Sequence, residues 1–202
     1  MVRVMNALDR RPVDQPLSLA RADSALLSRL GAWLVMPAGP EPAGIRHVQV
    51  PVEGGEIMVR IYVPEGSGPH PLYVFLHGGG WCVGTIGERD ARCRAVSAGA
   101  RCVVASVDYR MAPENQFPTP VEDCYAALVW LVEHAAEIGV DAGRVAVGGE
   151  SAGGNLAAVL CVLARDRSGP AICHQWLDVP AVDATLSQEG HRSVPDGHLL
   201  DH

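Results

Sequence analysis

The stretch Val145-Ala146-Val147-Gly148-Gly149-Glu150-Ser151-Ala152-Gly153-Gly154-Asn155-Leu156 decides how this chain is read. A short apolar run ends in two glycines, a serine follows between small neighbours, and a second apolar run continues to Leu163. The first run has the length of a buried strand and the second that of a buried helix. Between them, Gly149 to Gly153 spells G-x-S-x-G. A sharp strand-to-helix turn holds a serine hydroxyl clear of the backbone at the positive end of a helix, and small flanking residues relieve its crowding. Ser151 is therefore the candidate nucleophile, and Gly153 and Gly154 let the helix approach the sheet closely. Taken alone, the five residues also fit a glycine-rich turn with an incidental serine; their placement between strand and helix favours chemistry.

Working outward, Leu72–Leu76, Cys102–Val107, Val145–Val147 and Ala171–Val179 read as strands. Helical stretches lie between them, at about Arg89–Ala98, Pro120–Glu137 and Ala152–Arg165. Strand–helix alternation with apolar strands predicts a mostly parallel sheet with helices on both faces. Upstream, His47–Glu53 and Glu56–Val63 alternate apolar and polar residues around Gly54–Gly55, which predicts an antiparallel hairpin with those glycines as its turn. Leu19 to Leu34 carries the spacing of one amphipathic helix, ended by Pro37, Pro40 and Pro42. Residues 184–202 are polar and weakly patterned, and are expected to form a loosely structured tail.

The strand Leu72–Leu76 runs straight into His77-Gly78-Gly79-Gly80-Trp81. Acyl transfer passes through a tetrahedral intermediate with a negative oxygen, which fixed backbone N–H donors must meet. Glycines can turn their amides into such a pocket without a Cβ in the way. Gly79 and Gly80 are the expected donors, joined by Ala152 just after the serine, with Gly78 shaping the turn and His77 bracing the loop. A phosphate-binding glycine loop is disfavoured: the spacing is not G-x-G-x-x-G and no Lys-Ser/Thr follows.

Three blocks in order, His77–Trp81, Asp108-Tyr109-Arg110-Met111-Ala112-Pro113-Glu114 and Gly149–Gly154, resemble the hormone-sensitive-lipase-like (fold-3) branch of the α/β-hydrolases. Phe117-Pro118 and Val121-Glu122-Asp123 extend the middle block in the same manner. The resemblance runs from about residue 45 to 183. It implies an α/β-hydrolase fold that hydrolyses carboxylic esters of short to medium acyl chains without cofactor or metal. It also implies a cap segment at residues 1–45 and a partial catalytic core at 46–183. Glu150 stands where the family usually has Asp. Asp108 and Arg110 are expected to pair, with the Tyr109 hydroxyl, beneath the serine turn.

A serine nucleophile needs a base and an orienting carboxylate, in chain order Ser…Asp/Glu…His. Neither of the family's motifs for these appears after Ser151, nor do the last strands of its sheet, so the chain reads as C-terminally truncated. Asp178 and Asp183, with His191, His198 and His202, are the local substitutes, but no strand places those histidines. An impaired esterase is therefore expected. A non-catalytic ligand-binding member, as the gibberellin receptors are, or an inactive truncated product are the alternatives. The strand Ala171–Val179, carrying Ile172, Trp176 and Leu177, is expected to be an exposed edge that invites self-association.

Composition agrees with one domain. The 202 residues are 48% hydrophobic and 19% charged, enough for a single buried core. A net charge of −7 without a basic stripe disfavours nucleic acid and anionic membranes. The six cysteines show no C-x-x-C or zinc spacing and sit mostly in apolar segments, as reduced structural thiols do. Met1–Arg11 lacks the apolar core of a signal peptide, and the run Leu156–Ala164 is too short to span a membrane. These features predict a cytoplasmic protein acting on a small-molecule ester.

Overall fold

A computed structural model describes residues 38–185 and 187–189, together with 21, 22 and 26. Six strands form one sheet: β1 (Gly44–Val52), β2 (Gly55–Val63), β3 (His70–Leu76), β4 (Val103–Asp108), β5 (Val140–Glu150) and β6 (His174–Asp178). They lie in the order β1-β2-β4-β3-β5-β6. β1, β2 and β4 pair antiparallel, whereas β4, β3, β5 and β6 run parallel. The connections are α1 (Asp90–Ala100) between β3 and β4, then α2 (Thr119–Glu133) and α3 (Ala135–Ile138) before β5, and α4 (Ala152–Asp166) before β6.

Side-chain alternation sorts the core into two layers. On β3, Leu72, Val74 and Leu76 face one side, where they join Val103, Ala105 and Val107 of β4 and the buried residues of α2 and α4. Tyr73, Phe75 and Val104 face the other side with Cys93 of α1. Both faces of β3 and β4 are thus covered, which is why these strands read as continuous apolar runs.

The direction in which the sheet is built reverses at β3, because β4 lies on one side of it and β5 on the other. In open α/β sheets the crevice outside the carboxyl ends of the strands at such a point is where ligands bind. The carboxyl ends of β3 and β5 lie side by side there, Leu76 opposite Gly149.

Several boundaries differ from the sequence reading. Gly55 pairs with Val52 inside the ladder, so the hairpin turn is Glu53–Gly54, with Gly54 at φ +76°. The helix expected from Pro120 to Glu137 breaks at His134, whose ring turns back onto the Trp130 carbonyl at 2.9 Å. Among the described residues β6 is an edge of the sheet, and it exposes Trp176. Ile172 and Leu177, expected to share that exposure, pack against the core instead. Most of the N-terminal helix expected over Leu19–Leu34, and most of the tail at 184–202, lie outside the described residues; Arg21, Ala22 and Leu26 are helical. No described helix is long and apolar enough to cross a membrane.

Candidate active site

β5 ends at Glu150 and α4 begins at Ala152, leaving Ser151 alone to make the turn. Its backbone sits at φ 51°, ψ −117°, outside the regions open to residues with a side chain. Such a conformation costs on the order of 1–3 kcal/mol and persists only where its surroundings enforce it. They do so here through three main-chain hydrogen bonds. Ser151 N–H donates to the Asp178 carbonyl at 2.9 Å, and the Ser151 carbonyl accepts from Asn155 N–H at 3.0 Å and Ala181 N–H at 3.2 Å. Serine at a helix N-cap usually spends its hydroxyl on a backbone N–H. Ser151 makes no such cap bond, so its hydroxyl is not consumed by the helix it precedes.

The glycines around Ser151 are required by close approach. A Cβ on Gly149 would lie 2.4 Å from the Leu76 carbonyl oxygen, and one on Gly153 would lie 2.1 Å from the same oxygen and 2.5 Å from that of His77. The first turn of α4 is therefore seated directly on the end of β3. The glycine loop that follows β3 is seated on the serine turn in return: a Cβ on Gly78 would lie 2.9 Å from the Glu150 carbonyl oxygen. Gly79, Gly80 and Trp81 all have positive φ, and the Gly79 carbonyl accepts from the N–H groups of Cys82 (3.1 Å) and Val83 (2.9 Å), closing a tight turn. His77, Gly78, Glu150, Ser151 and Ala152 are thus brought together at the switch point, with Gly79 and Gly80 in the adjoining turn.

His77 is buried at 1% exposure, with Nδ1 2.9 Å from the Gly78 carbonyl and its ring stacked on Tyr109 at 4.4 Å. A carbonyl only accepts, so Nδ1 carries the proton. Burial lowers the His77 pKa below 6.5, favouring the neutral ring, despite the Gly78 contact and the negative field of Asp108. The Tyr109 hydroxyl donates to the His77 carbonyl at 2.7 Å. Arg21 approaches the loop from the N-terminal side, donating to the carbonyls of Cys82 (2.7 Å) and Ala112 (2.6 Å) and to the Glu114 carboxylate.

The expected Asp108–Arg110 pair does not form. Arg110 instead meets Asp123 of α2, through Nε at 2.9 Å and Nη2 at 2.6 Å, while Asp123 also accepts the Arg110 main-chain N–H at 3.0 Å. Asp108 ends its strand without that guanidinium, and burial raises its pKa. Glu150 is held by Arg89 and Arg92 of the turn and helix after the glycine loop, contacts that the sequence reading missed. Nothing in the local pattern around residues 89 and 92 points to a partner some sixty positions away.

Of the substitute acids, Asp178 is paired with Arg92 at 2.8 Å. Asp183 folds its carboxylate back onto Thr185 and Ser187, whose hydroxyl and N–H groups hold its pKa low. This is how a turn residue behaves. His191, His198 and His202 lie outside the described residues. Among the described residues no cluster of His, Cys, Asp or Glu could hold a metal ion.

Comparison with known proteins agrees with this architecture. Residues 73–202 match the α/β hydrolase fold family. The chain is 45% identical over 190 residues to the carboxylic ester hydrolase LipN of Mycobacterium tuberculosis, covering 90% of this chain and 50% of that protein. It is 44% identical over 147 residues to the carboxylesterase NlhH of the same organism, covering 72% and 46%. The solved structure of a hyperthermophilic esterase from the archaeon Pyrobaculum calidifontis superposes with a TM-score of 0.91 at 35% identity, over 99% of this chain and 64% of that one. The chain spans about half the length of the two mycobacterial relatives. By matched span and by fold alike, it belongs to the α/β-hydrolase fold family.

Proposed function

We propose that this chain carries the nucleophile and oxyanion site of a carboxylic ester hydrolase, with Ser151 as the attacking group. The observation that carries the proposal is a strained N-cap serine whose hydroxyl is left out of helix capping, next to a glycine loop packed on its own turn. In this reading the Ser151 oxygen bonds to the ester carbonyl carbon and its proton passes to a base. The carbonyl oxygen becomes an oxyanion, met by the N–H groups of Gly79, Gly80 and Ala152. Collapse expels the alcohol, which takes up that proton, and water then cleaves the acyl-serine to release the acid. The positive end of α4 favours the negative charge at both stages. His77 is a brace for the loop in this scheme: its proton faces Gly78 and its ring is buried.

The relatives' names favour carboxylic esters as the substrate class, the family resemblance adds short to medium acyl chains, and none of the steps needs a metal or cofactor. Residues 1–202 alone are expected to turn over slowly, since both candidate acids are engaged elsewhere, Asp178 with Arg92 and Asp183 with Thr185 and Ser187. The same observation favours a second reading, a ligand-binding member that does not hydrolyse. Edge strand β6, with Trp176 exposed, further supports self-association of this chain.

A fluorophosphonate probe and a p-nitrophenyl butyrate assay, each run with wild type and Ser151→Ala, separate the readings. Covalent labelling of wild type that disappears in Ser151→Ala supports an activated serine. A wild type labelled no faster than free serine refutes it and leaves the binding reading.

A further inference from the structure

Glu150 and Asp178 end neighbouring parallel strands and are direct cross-strand partners in the ladder. Two carboxylates so placed repel one another. Between them stands Arg92 of α1, donating through Nη1 to Glu150 at 2.9 Å and through Nη2 to Asp178 at 2.8 Å. Arg89 grips the second oxygen of Glu150. The Arg92 guanidinium also faces two aromatic rings, Phe75 of β3 at 5.4 Å and Trp176 of β6 at 5.1 Å. One side chain therefore touches β3, β5 and β6 close to their carboxyl ends.

The two carboxylates matter because of what their main chains do. Glu150 is the residue immediately before Ser151, and the Asp178 carbonyl takes the Ser151 N–H. Arg92 thereby closes a ring: Glu150 side chain, guanidinium, Asp178 side chain, Asp178 carbonyl, Ser151 N–H and back to Glu150. We propose that Arg92 is a positioning residue that sets the Ser151 turn by bracketing Glu150 and Asp178, with Arg89 as its support. The inference rests on the reading of Ser151 as nucleophile. It adds that the strained turn is held by charge from the opposite face of the sheet as well as by its own glycines. Arg92 touches no reacting atom; it acts through the two carboxylates.

Arg92→Met keeps the length of the stem and its packing on Phe75 and Trp176 while removing the bridge. Its expected effect is about a tenfold fall in the maximal rate of fluorophosphonate labelling with the probe's binding constant within about twofold, since small displacements of a nucleophile cost rate rather than affinity. The Ser151 N–H is expected to exchange with solvent faster by a similar factor, because its acceptor strand is no longer tied. Adding Glu150→Gln to Arg92→Met removes the repulsion and is expected to recover part of both losses. Unchanged labelling and unchanged exchange in Arg92→Met overturn the inference, as does a double variant no better than the single. If wild type itself fails to label, the nucleophile reading falls, and the exchange rate of the Ser151 N–H still decides whether Arg92 sets the turn.

Discussion

Replacing Gly153 by alanine is the sharpest test of how the serine turn is built. The new Cβ would lie 2.1 Å from the Leu76 carbonyl oxygen, 2.5 Å from that of His77 and 2.6 Å from the Leu76 carbonyl carbon. All three are main-chain atoms, so no side-chain rotation relieves the clash. Helix and strand must separate by about 0.9 Å to bring the shortest contact to 3.0 Å. Overpacking of this kind costs up to about 3 kcal/mol. The better helix propensity of alanine returns at most about 1 kcal/mol, leaving a net loss near 2 kcal/mol. The same displacement moves Ser151 relative to the glycine loop, and a shift of about 1 Å is worth roughly a hundredfold in rate. Gly154→Ala is the control. Its Cβ would meet the Pro180 Cβ at 3.0 Å and the Gly149 carbonyl oxygen at 3.1 Å, contacts that a shift of a few tenths of an ångström relieves, so its cost is expected to be about 1 kcal/mol or less. Urea unfolding followed by tryptophan fluorescence measures the first quantity and fluorophosphonate labelling the second. If Gly153→Ala matches Gly154→Ala in both, the close seating of α4 on β3 is not what shapes the turn.

Three further outcomes are expected. Asp123→Asn, at 1% exposure, strips the charge that three donors of Arg110 share, and should cost about 2 kcal/mol in urea unfolding; a loss under about 0.5 kcal/mol would count against a structural ion pair. Because burial lowers the pKa of His77, the folded state binds its proton less readily than the unfolded chain. That stability is complete above the ordinary value of 6.5 and is lost as pH falls from there toward the folded value, so His77→Gln should flatten the acid side of the stability–pH curve; an unchanged slope contradicts this. Burial raises the thiols of Cys93 to about 12 and Cys102 to about 11 and also pushes that of Cys124 well up, whereas Cys173 is exposed. Titration with a disulfide reagent should therefore modify Cys173 first and leave the other three until unfolding, and equal rates for all four would refute the burial described.

The blocks proposed to carry chemistry are legible in the sequence because each is a local backbone problem. A strand, one serine and a helix within twelve residues leave few ways to turn, and glycines stand where a Cβ has no room. The strands at Leu72–Leu76 and Val145–Val147 are legible for a similar reason: burial on both faces demands an unbroken apolar run. The partner of Arg110 was not legible. Asp108 is two residues away and Asp123 thirteen, yet the helix beginning at Thr119 delivers the distant carboxylate and the strand end does not deliver the near one. Proximity along the chain is a poor guide to side-chain pairing once helices pack across a sheet.

By itself, then, the order of residues determined the elements, the turn at Ser151 and the glycine loop after β3, because steric limits on the backbone act over a few neighbours. Only the tertiary structure decided that β3 and β5 lie side by side, which carries His77 and Ser151 from separate parts of the chain to one crevice. It alone decided that Arg92 bridges two strand ends. Strand order and charge pairing are set by how layers pack in three dimensions, and no local preference encodes them.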